Sequence, residues 1–185
     1  GAHRFINKFF RLVTGFIDSR TRIKISEIDP SNLNEEQSSV RQKTYLALQK
    51  VGDDFGRRHS FNTAIATMME LNNSISRFKD SSEQGMAIKQ EAIEIMVKCL
   101  SPVIPHVCHH LWLLLGKQGA VVDSHWPEVD ESALVQENVQ IIAQVNGKLR
   151  AKIMAPLDSN NQSIQEIALS NDKVEKFTIN KQILK

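Results

Sequence analysis

The apolar side chains of residues 4–115 recur at helical spacing, and this period limits that region to a helical architecture. In residues 4–17 the series includes Phe5, Phe9 and Phe16, which fall on one side of a helix. The same period predicts four further helices, near residues 34–58, 61–78, 84–100 and 105–115. Amphipathic helices joined by short loops predict an antiparallel bundle.

Several helix ends are marked by residues that cap or stop helices. Asn34 is a good N-cap, and Gln37 follows three positions later, as in a capping box. Asn62 can cap the third helix. Pro102 stops the fourth helix, and Pro105 suits the first turn of the fifth, where its missing N–H costs nothing.

Residues 139–154 change to the period of a β-strand around an Asn146-Gly147 turn signal. A loop of two residues would pair apolar with basic side chains across the hairpin. We therefore predict a three-residue loop, residues 145–147, which gives one wholly apolar face. The predicted pairs are Ala143 with Leu149, Ile141 with Ala151, and Val139 with Ile153.

Charge divides the chain, because residues 123–138 carry five acids and no base. We predict a mainly α chain: a helical bundle over 1–122, an acidic linker over 123–138, and a small α+β domain over 139–185. That last domain contains the hairpin and helices near 160–170 and 172–177. Because an isolated hairpin is marginal in water, we expect this domain to be truncated, with residues 181–185 leading into a further strand.

The sequence limits the expected cellular location of the protein and the classes of reaction it could catalyse. No apolar run is long enough to span a membrane, and the N-terminus lacks the features of a signal peptide, so we expect a cytoplasmic protein without a membrane partner. The two cysteines give no disulfide framework. Glycine-rich phosphate loops, nucleophile elbows and HExxH sequences are absent, and we predict no catalytic residue. Asp53-Asp54 is interpreted as solvated surface.

A histidine cluster is the densest group of possible metal ligands. It comprises His106, Cys108, His109 and His110. His106 and His110 share a helix face, and zinc accepts both residue types. A second half of a ligand set is missing, so we interpret them as helix-face side chains and predict no metal site and no cofactor in this chain.

Basic residues form two groups that could contact a polyanion. The first lies along the long helix and its end, and the second alternates on one hairpin face. The candidates are Arg41, Lys43, Lys50, Arg57, Arg58, Lys148, Arg150 and Lys152. Phosphate contact needs such positive charge, but solvated helix and strand faces carry it equally often.

Ordered motifs add a resemblance to class I aminoacyl-tRNA synthetases of the leucine, isoleucine and valine group. Residues 61–66 with 69–71 are similar to their FNTAIA…MEL segment, and residues 102–106 with Leu111-Trp112 resemble their PxxPH…LW segment. Residues 126–130 with 144–150 resemble the WPEVDE…VQVNGKLR of bacterial-type leucyl-tRNA synthetases. His109 and His110 depart from that pattern, since the family usually has acids there.

The resemblance implies a parent enzyme that joins leucine to its tRNA using ATP and Mg. The catalytic HIGH and KMSKS motifs and the editing domain are absent, so the fragment is expected to be inactive alone. The implied partners are leucine-specific tRNA, bound mainly through backbone and shape, and the rest of a monomeric synthetase. The alternatives are the equivalent region of a valine or isoleucine enzyme, and a helical protein-interaction module.

Overall fold

A computed structural model describes residues 1–20, 27–135, 138–156 and 159–178 of the chain. The chain forms two compact units, Gly1–Leu134 and Val135–Lys185, and each is described by itself. The first is an antiparallel helical bundle, and the second combines a β-hairpin with helices. The predicted fold class, mainly α with a small α+β part, is confirmed.

Five α-helices lie within the described part of the first unit. They are α1 (Ala2–Arg20), α2 (Glu35–Asp53), α3 (Phe61–Arg77), α4 (Glu83–Leu100) and α5 (Pro105–Leu114). Helix α2 packs against α3 and α4, and α5 packs against α1 and α4. The apolar period therefore located each helix, although α1 extends beyond the predicted 4–17 at both ends.

The apolar stripes predicted from the sequence meet in one core. Each helix supplies side chains that are almost wholly buried, among them Phe9, Leu48, Ile75, Ile88 and Leu111. Burying a side chain of this size contributes about 1.5–3 kcal/mol, so the core stabilises the bundle far more than any surface contact does.

Polar contacts fix where α2 and α4 begin. The predicted capping box is present: Asn34 Oδ1 accepts from the Gln37 N–H at 2.9 Å, and Gln37 Oε1 accepts from the Asn34 N–H at 3.0 Å. Gln37 Nε2 also donates to Asp80 Oδ2 at 2.6 Å. Ser82 caps α4 by accepting from the Gly85 N–H at 3.0 Å. The amide of Gln37 thus ties the start of α2 to the loop that leads into α4.

Residues after α5 continue along the bundle. Short 3-10 turns occur at Val121–Asp123 and Glu131–Leu134, and the second of these contacts α2. Val121 is buried, and Asp130 forms an ion pair with Arg41. The predicted limits of bundle, linker and small domain remain a prediction, but the chain up to Leu134 belongs to the first compact unit.

The second unit contains an antiparallel hairpin, β1 (Asn138–Val145) and β2 (Lys148–Pro156), followed by α6 (Asn161–Leu169) and α7 (Asp172–Thr178). The predicted three-residue loop is wrong. Val145 pairs with Lys148, so the loop has two residues, and Asn146 and Gly147 both adopt positive φ, 54° and 73°. Such a turn matches the twist of a hairpin.

A β-bulge explains why the two-residue loop still gives an apolar face. Gln144 pairs with Leu149, but Ala143 pairs with Ala151, which leaves Arg150 as an extra residue on β2. The bulge shifts the alternation by one position, so Ala151 and Ile153 are buried with Val174 of α7. The predicted strand at 181–185 lies outside the described residues.

Candidate nucleic-acid interface

A π-helical turn, Asp54–Arg58, joins α2 to α3. It ends at His59, whose φ of 52° is left-handed and whose backbone N–H donates to the carbonyl of Asp54. A π-helical turn is wider than an α-helical one and occurs mostly as a short insertion, frequently at functional sites. Here it brings Arg57 and Arg58 together beside the carboxylate of Asp53.

Asp53 contacts the Nε atoms of both arginines. Arg57 Nε lies 2.6 Å from Asp53 Oδ1, and Arg58 Nε lies 2.6 Å from Asp53 Oδ2. The hydrogen bond from Arg57, with the charges of both guanidiniums, holds the pKa of the Asp53 carboxyl below its usual range. Two cations therefore share one anion, and this group is called the arginine pair.

The arginine pair is open to solvent. The side chains of Arg57 and Arg58 are 75% and 59% exposed. Within the described part of the chain, their terminal Nη groups donate to no protein atom. A phosphate fits such a pair, because each guanidinium presents parallel N–H donors while Asp53 limits its motion.

The start of α3 lies directly after the arginine pair. Ser60 is its N-cap residue but makes no side-chain capping bond, so the prediction that Asn62 caps this helix is wrong. The Thr63 and Ala64 N–H groups donate to the Ser60 carbonyl, both at 3.1 Å. The positive end of the helix dipole therefore adds to the positive potential of the arginines.

Lys43 and Lys50 line a groove between α2 and α3. The groove consists of two cavities of about 410 and 430 Å³, which share Lys43, Glu70 and Ser74. Arg77, which the sequence analysis did not select, lines the cavity nearer the end of α3. The groove carries three cations, Lys43, Lys50 and Arg77, against two acids, Glu36 and Glu70. It lies between the two helices that the turn with the arginine pair connects.

Arg41 is the one candidate that the bundle encloses. Its side chain is only 7% exposed, and it pairs with Glu91 at 3.0 Å and Asp130 at 2.6 Å. Burial opposes the charge, but the hydrogen bond and charge of Glu91, with the hydrogen bond to Asp130, outweigh it and raise the pKa of Arg41. Arg41 is therefore buried in ion pairs within the bundle and is not an accessible cation.

The hairpin candidates of the second unit do not form one row. Lys148 and Lys152 are exposed. Arg150, the bulge residue, lies with its guanidinium carbon 3.8 Å from the ring centre of Phe177, and its Nε is buried without a partner among the described residues. The bulge therefore turns Arg150 towards α7 and leaves the lysines as the accessible cations.

The residues of the histidine cluster point in different directions. Cys108 is buried, and burial raises the pKa of its thiol to about 12. His110 stacks on Phe10 with ring centres 6.0 Å apart. Among the residues that the structure describes, no three His, Cys, Asp or Glu side chains come together as a metal site would need.

The adjacent carboxylates Asp53 and Asp54, which the sequence indicated as solvated surface, have different environments. Asp53 binds the arginine pair, whereas Asp54 is buried, and its Oδ2 has no partner in the described part of the chain. Asp54 is thus not the solvated residue that the sequence indicated. None of the helices that the structure describes has the length and hydropathy to cross a bilayer.

The fold and the basic surface define a class, a helical bundle domain with clustered cations at a helix junction. Residues 38–167 match the family described as the anticodon-binding domain of tRNA ligase. The chain belongs to this family. It is 46% identical over 185 residues to a leucine–tRNA ligase of Ruthia magnifica and 43% identical to that of Marinobacter nauticus.

Each of these matches covers the whole chain but only 22% and 21% of the relative, so the chain spans about a fifth of their length. A solved ternary complex of LeuRS, tRNA and LeuAMS from Agrobacterium radiobacter is similar in structure, with a TM-score of 0.72 and 26% identity. That likeness covers 98% of this chain and 23% of the other.

Proposed function

We propose that this chain is the tRNA-binding C-terminal part of a leucine–tRNA ligase, and that it positions tRNA through contacts to the phosphate backbone. The relatives that support this are leucine–tRNA ligases, and the similar solved structure is of a complex with tRNA. The observation that carries the proposal is the arginine pair, because its two exposed guanidiniums are oriented by a single carboxylate.

The accessible candidates are the arginine pair, the groove lysines and the two hairpin lysines. Their residues are Arg57, Arg58, Lys43, Lys50, Lys148 and Lys152. The parent enzyme would supply the ATP and Mg chemistry outside this chain. The proposed setting is a monomeric cytoplasmic synthetase, with leucine-specific tRNA and the rest of the synthetase chain as partners and no membrane.

Binding of leucine tRNA to a charge-reversed variant tests the proposal. Arg57→Glu combined with Arg58→Glu should weaken binding by about tenfold or more at moderate salt, since phosphate contacts dominate affinity for nucleic acids. Arg4→Glu with Arg11→Glu is the matched control, because both arginines are exposed on α1 and the two substitutions change the net charge by the same amount. Equal losses in the two variants would mean that only net charge matters and would contradict a defined site.

Competition among tRNAs addresses the alternatives. If valine or isoleucine tRNA displaced leucine tRNA at equal concentration, this chain would not carry the leucine specificity. If an unrelated polyanion displaced leucine tRNA equally well, the alternative function, a helical protein-interaction module, would be favoured instead. Preferential displacement by leucine tRNA is the expected result.

A further inference from the structure

Aromatic rings are exposed beside the arginine pair. Phe61 is 53% exposed and Trp126 is 42% exposed. Phe55 lies between them, with its ring centre 5.4 Å from that of Phe61 and 6.2 Å from that of Trp126. The three rings are here called the aromatic patch: Phe61 and Trp126 are exposed, and Phe55 is partly buried against the core. Clustered exposed apolar groups of this kind mark interaction sites more often than single exposed residues do.

The aromatic patch and the arginine pair belong to the same stretch of chain. Phe55 sits in the π-helical turn between Asp53 and the arginines, and Phe61 begins the helix that follows them. The indole of Trp126 lies over the last turn of α2, where a Cβ placed on Gly52 would be 3.7 Å from its Nε1. The rings of Phe55 and Phe61 and the two guanidiniums thus come from neighbouring residues of the junction between α2 and α3.

We propose that this surface binds an unpaired RNA nucleotide, whose base stacks on Phe61 and whose phosphate contacts the arginine pair. The inference rests on the proposed function and adds a base contact to the backbone contacts. Aromatic rings accept any base, because every base has a π-face. In a duplex the bases are stacked within the helix, so a ring can reach only a loop, a bulge or an end.

Charge favours RNA over a protein partner at this surface. The arginine pair leaves one positive charge uncompensated by Asp53, and the positive end of α3 lies beside it. Aromatic residues and arginine are also enriched at protein interfaces. A nucleotide, however, offers a ring and an anion a short distance apart, which matches exposed rings beside an uncompensated positive charge. The uncompensated charge is therefore the feature that favours an anionic nucleotide at this surface.

Trp126 provides a direct readout. The chain has two tryptophans, and Trp112 is buried, so Trp112→Phe leaves Trp126 as the reporter. A short single-stranded oligoadenylate should quench Trp126 fluorescence, and the same oligoadenylate in a duplex with oligouridylate should quench it far less. Equal quenching by both would overturn the stacking contact, since paired bases cannot stack on the patch.

Substitution of Phe61 completes the test. Phe61→Ala should weaken binding of the single strand by at least about fivefold, the lower end of the effect of losing one stacked base. Phe61→Tyr should retain binding because it keeps the ring. Leu113→Ala is the matched control, since Leu113 is equally exposed on α5, outside the patch. Thermal melting by circular dichroism should show all variants folded.

Unchanged single-strand binding by folded Phe61→Ala would overturn this inference. If that variant also lost leucine tRNA affinity no more than Leu113→Ala did, while Arg57→Glu with Arg58→Glu still weakened it, the proposed function would stand without base stacking. Failure of the unmodified chain to bind leucine tRNA at all would instead overturn the proposed function.

Discussion

At the scale of single residues, Arg41 shows how a cation can serve the bundle instead of a ligand. It joins α2 to Glu91 of α4 and to Asp130, and its guanidinium also lies 5.4 Å from the ring centre of Tyr45. Removing one partner of such a buried network leaves the other charges desolvated and unpaired. Stability, not RNA affinity, is therefore the property that should respond to a change at Arg41.

Arg41→Met should lower the free energy of unfolding by about 2–3 kcal/mol, because two carboxylates lose their cation while the side-chain volume is kept. Chemical denaturation followed by circular dichroism measures this. Lys43→Met is the matched control on the exposed face of the same helix, and it should change stability by less than about 0.5 kcal/mol. Affinity for leucine tRNA should fall more in Lys43→Met than in Arg41→Met. A loss of tRNA affinity confined to Arg41→Met would contradict the structural role given to Arg41.

Tyr45 makes a pH prediction, since it is the one tyrosine of the chain. Burial, and then the hydrogen bond that its hydroxyl donates to Glu91 at 2.7 Å, raise the pKa of Tyr45. At about pH 11 an ordinary tyrosine is about nine-tenths ionised, but Tyr45 should stay largely protonated. The near-ultraviolet absorbance of the phenolate measures this, and in denaturant the midpoint should return to about 10.

The sign of the linked stability follows from that direction. Because the folded pKa of Tyr45 is raised, its contribution is fully present below about pH 10 and is lost as the pH rises towards the folded value. Tyr45→Phe should remove this alkaline part of the stability profile. A folded chain whose phenolate titrates at the same pH as the denatured chain would show that the hydroxyl is not held by Glu91.

At the scale of elements, the capping box of α2 is a local device that can be tested alone. Asn34→Ala removes the acceptor of the Gln37 N–H and should cost about 1 kcal/mol of unfolding free energy. Asn32→Ala, at an exposed position before the helix, should cost less. Hydrogen exchange should report the loss in the first turn of α2, and equal costs for both variants would contradict the assigned cap.

The helices were predictable because their signals are local. A helical period and an N-cap such as Asn34 lie within one segment of sequence, and each appears in the structure where it was expected. The hairpin was only half predictable. The Asn146-Gly147 turn is a local signal, but the bulge at Arg150 depends on burial of Ala151 and Ile153 against α7, which lies about twenty residues away.

The candidate site shows the same limit. Arg41 and Lys43 look alike in sequence, and only the positions of Glu91 and Asp130, far along the chain, make one a buried ion pair and leave the other exposed. Both arginines were selected from sequence. Arg57 lies four residues after Asp53, the ordinary helical spacing, but the contact of Arg58, five residues after Asp53, depends on the π-helical turn. No periodicity in the sequence predicts that turn.

At the scale of the whole molecule, accessible cations occur in both compact units. The bundle carries the arginine pair, and the hairpin carries Lys148 and Lys152. If both units contact one tRNA, each raises the effective concentration of the other's ligand without any new contact between them. Affinity and its salt dependence should then be shared between the units.

The dependence of binding on salt measures this sharing. Each phosphate contact contributes about 0.7–0.9 to the slope of log affinity against log salt. Arg57→Gln with Arg58→Gln should therefore lower the slope for leucine tRNA by about 1–2, and Lys148→Gln with Lys152→Gln should do the same. Combining all four substitutions should add the two effects, because the two pairs of residues belong to separate compact units.

Lys173→Gln with Lys176→Gln provides the matched control within the second unit, since both lysines are exposed on α7 and the change removes the same charge. It should leave the slope nearly unchanged. If the hairpin variant also left the slope unchanged, Lys148 and Lys152 would not contact the tRNA backbone, and the phosphate contacts of this chain would belong to the bundle. If both lysine variants lowered the slope equally, net charge alone would explain the effect, because only a defined contact distinguishes the hairpin from α7.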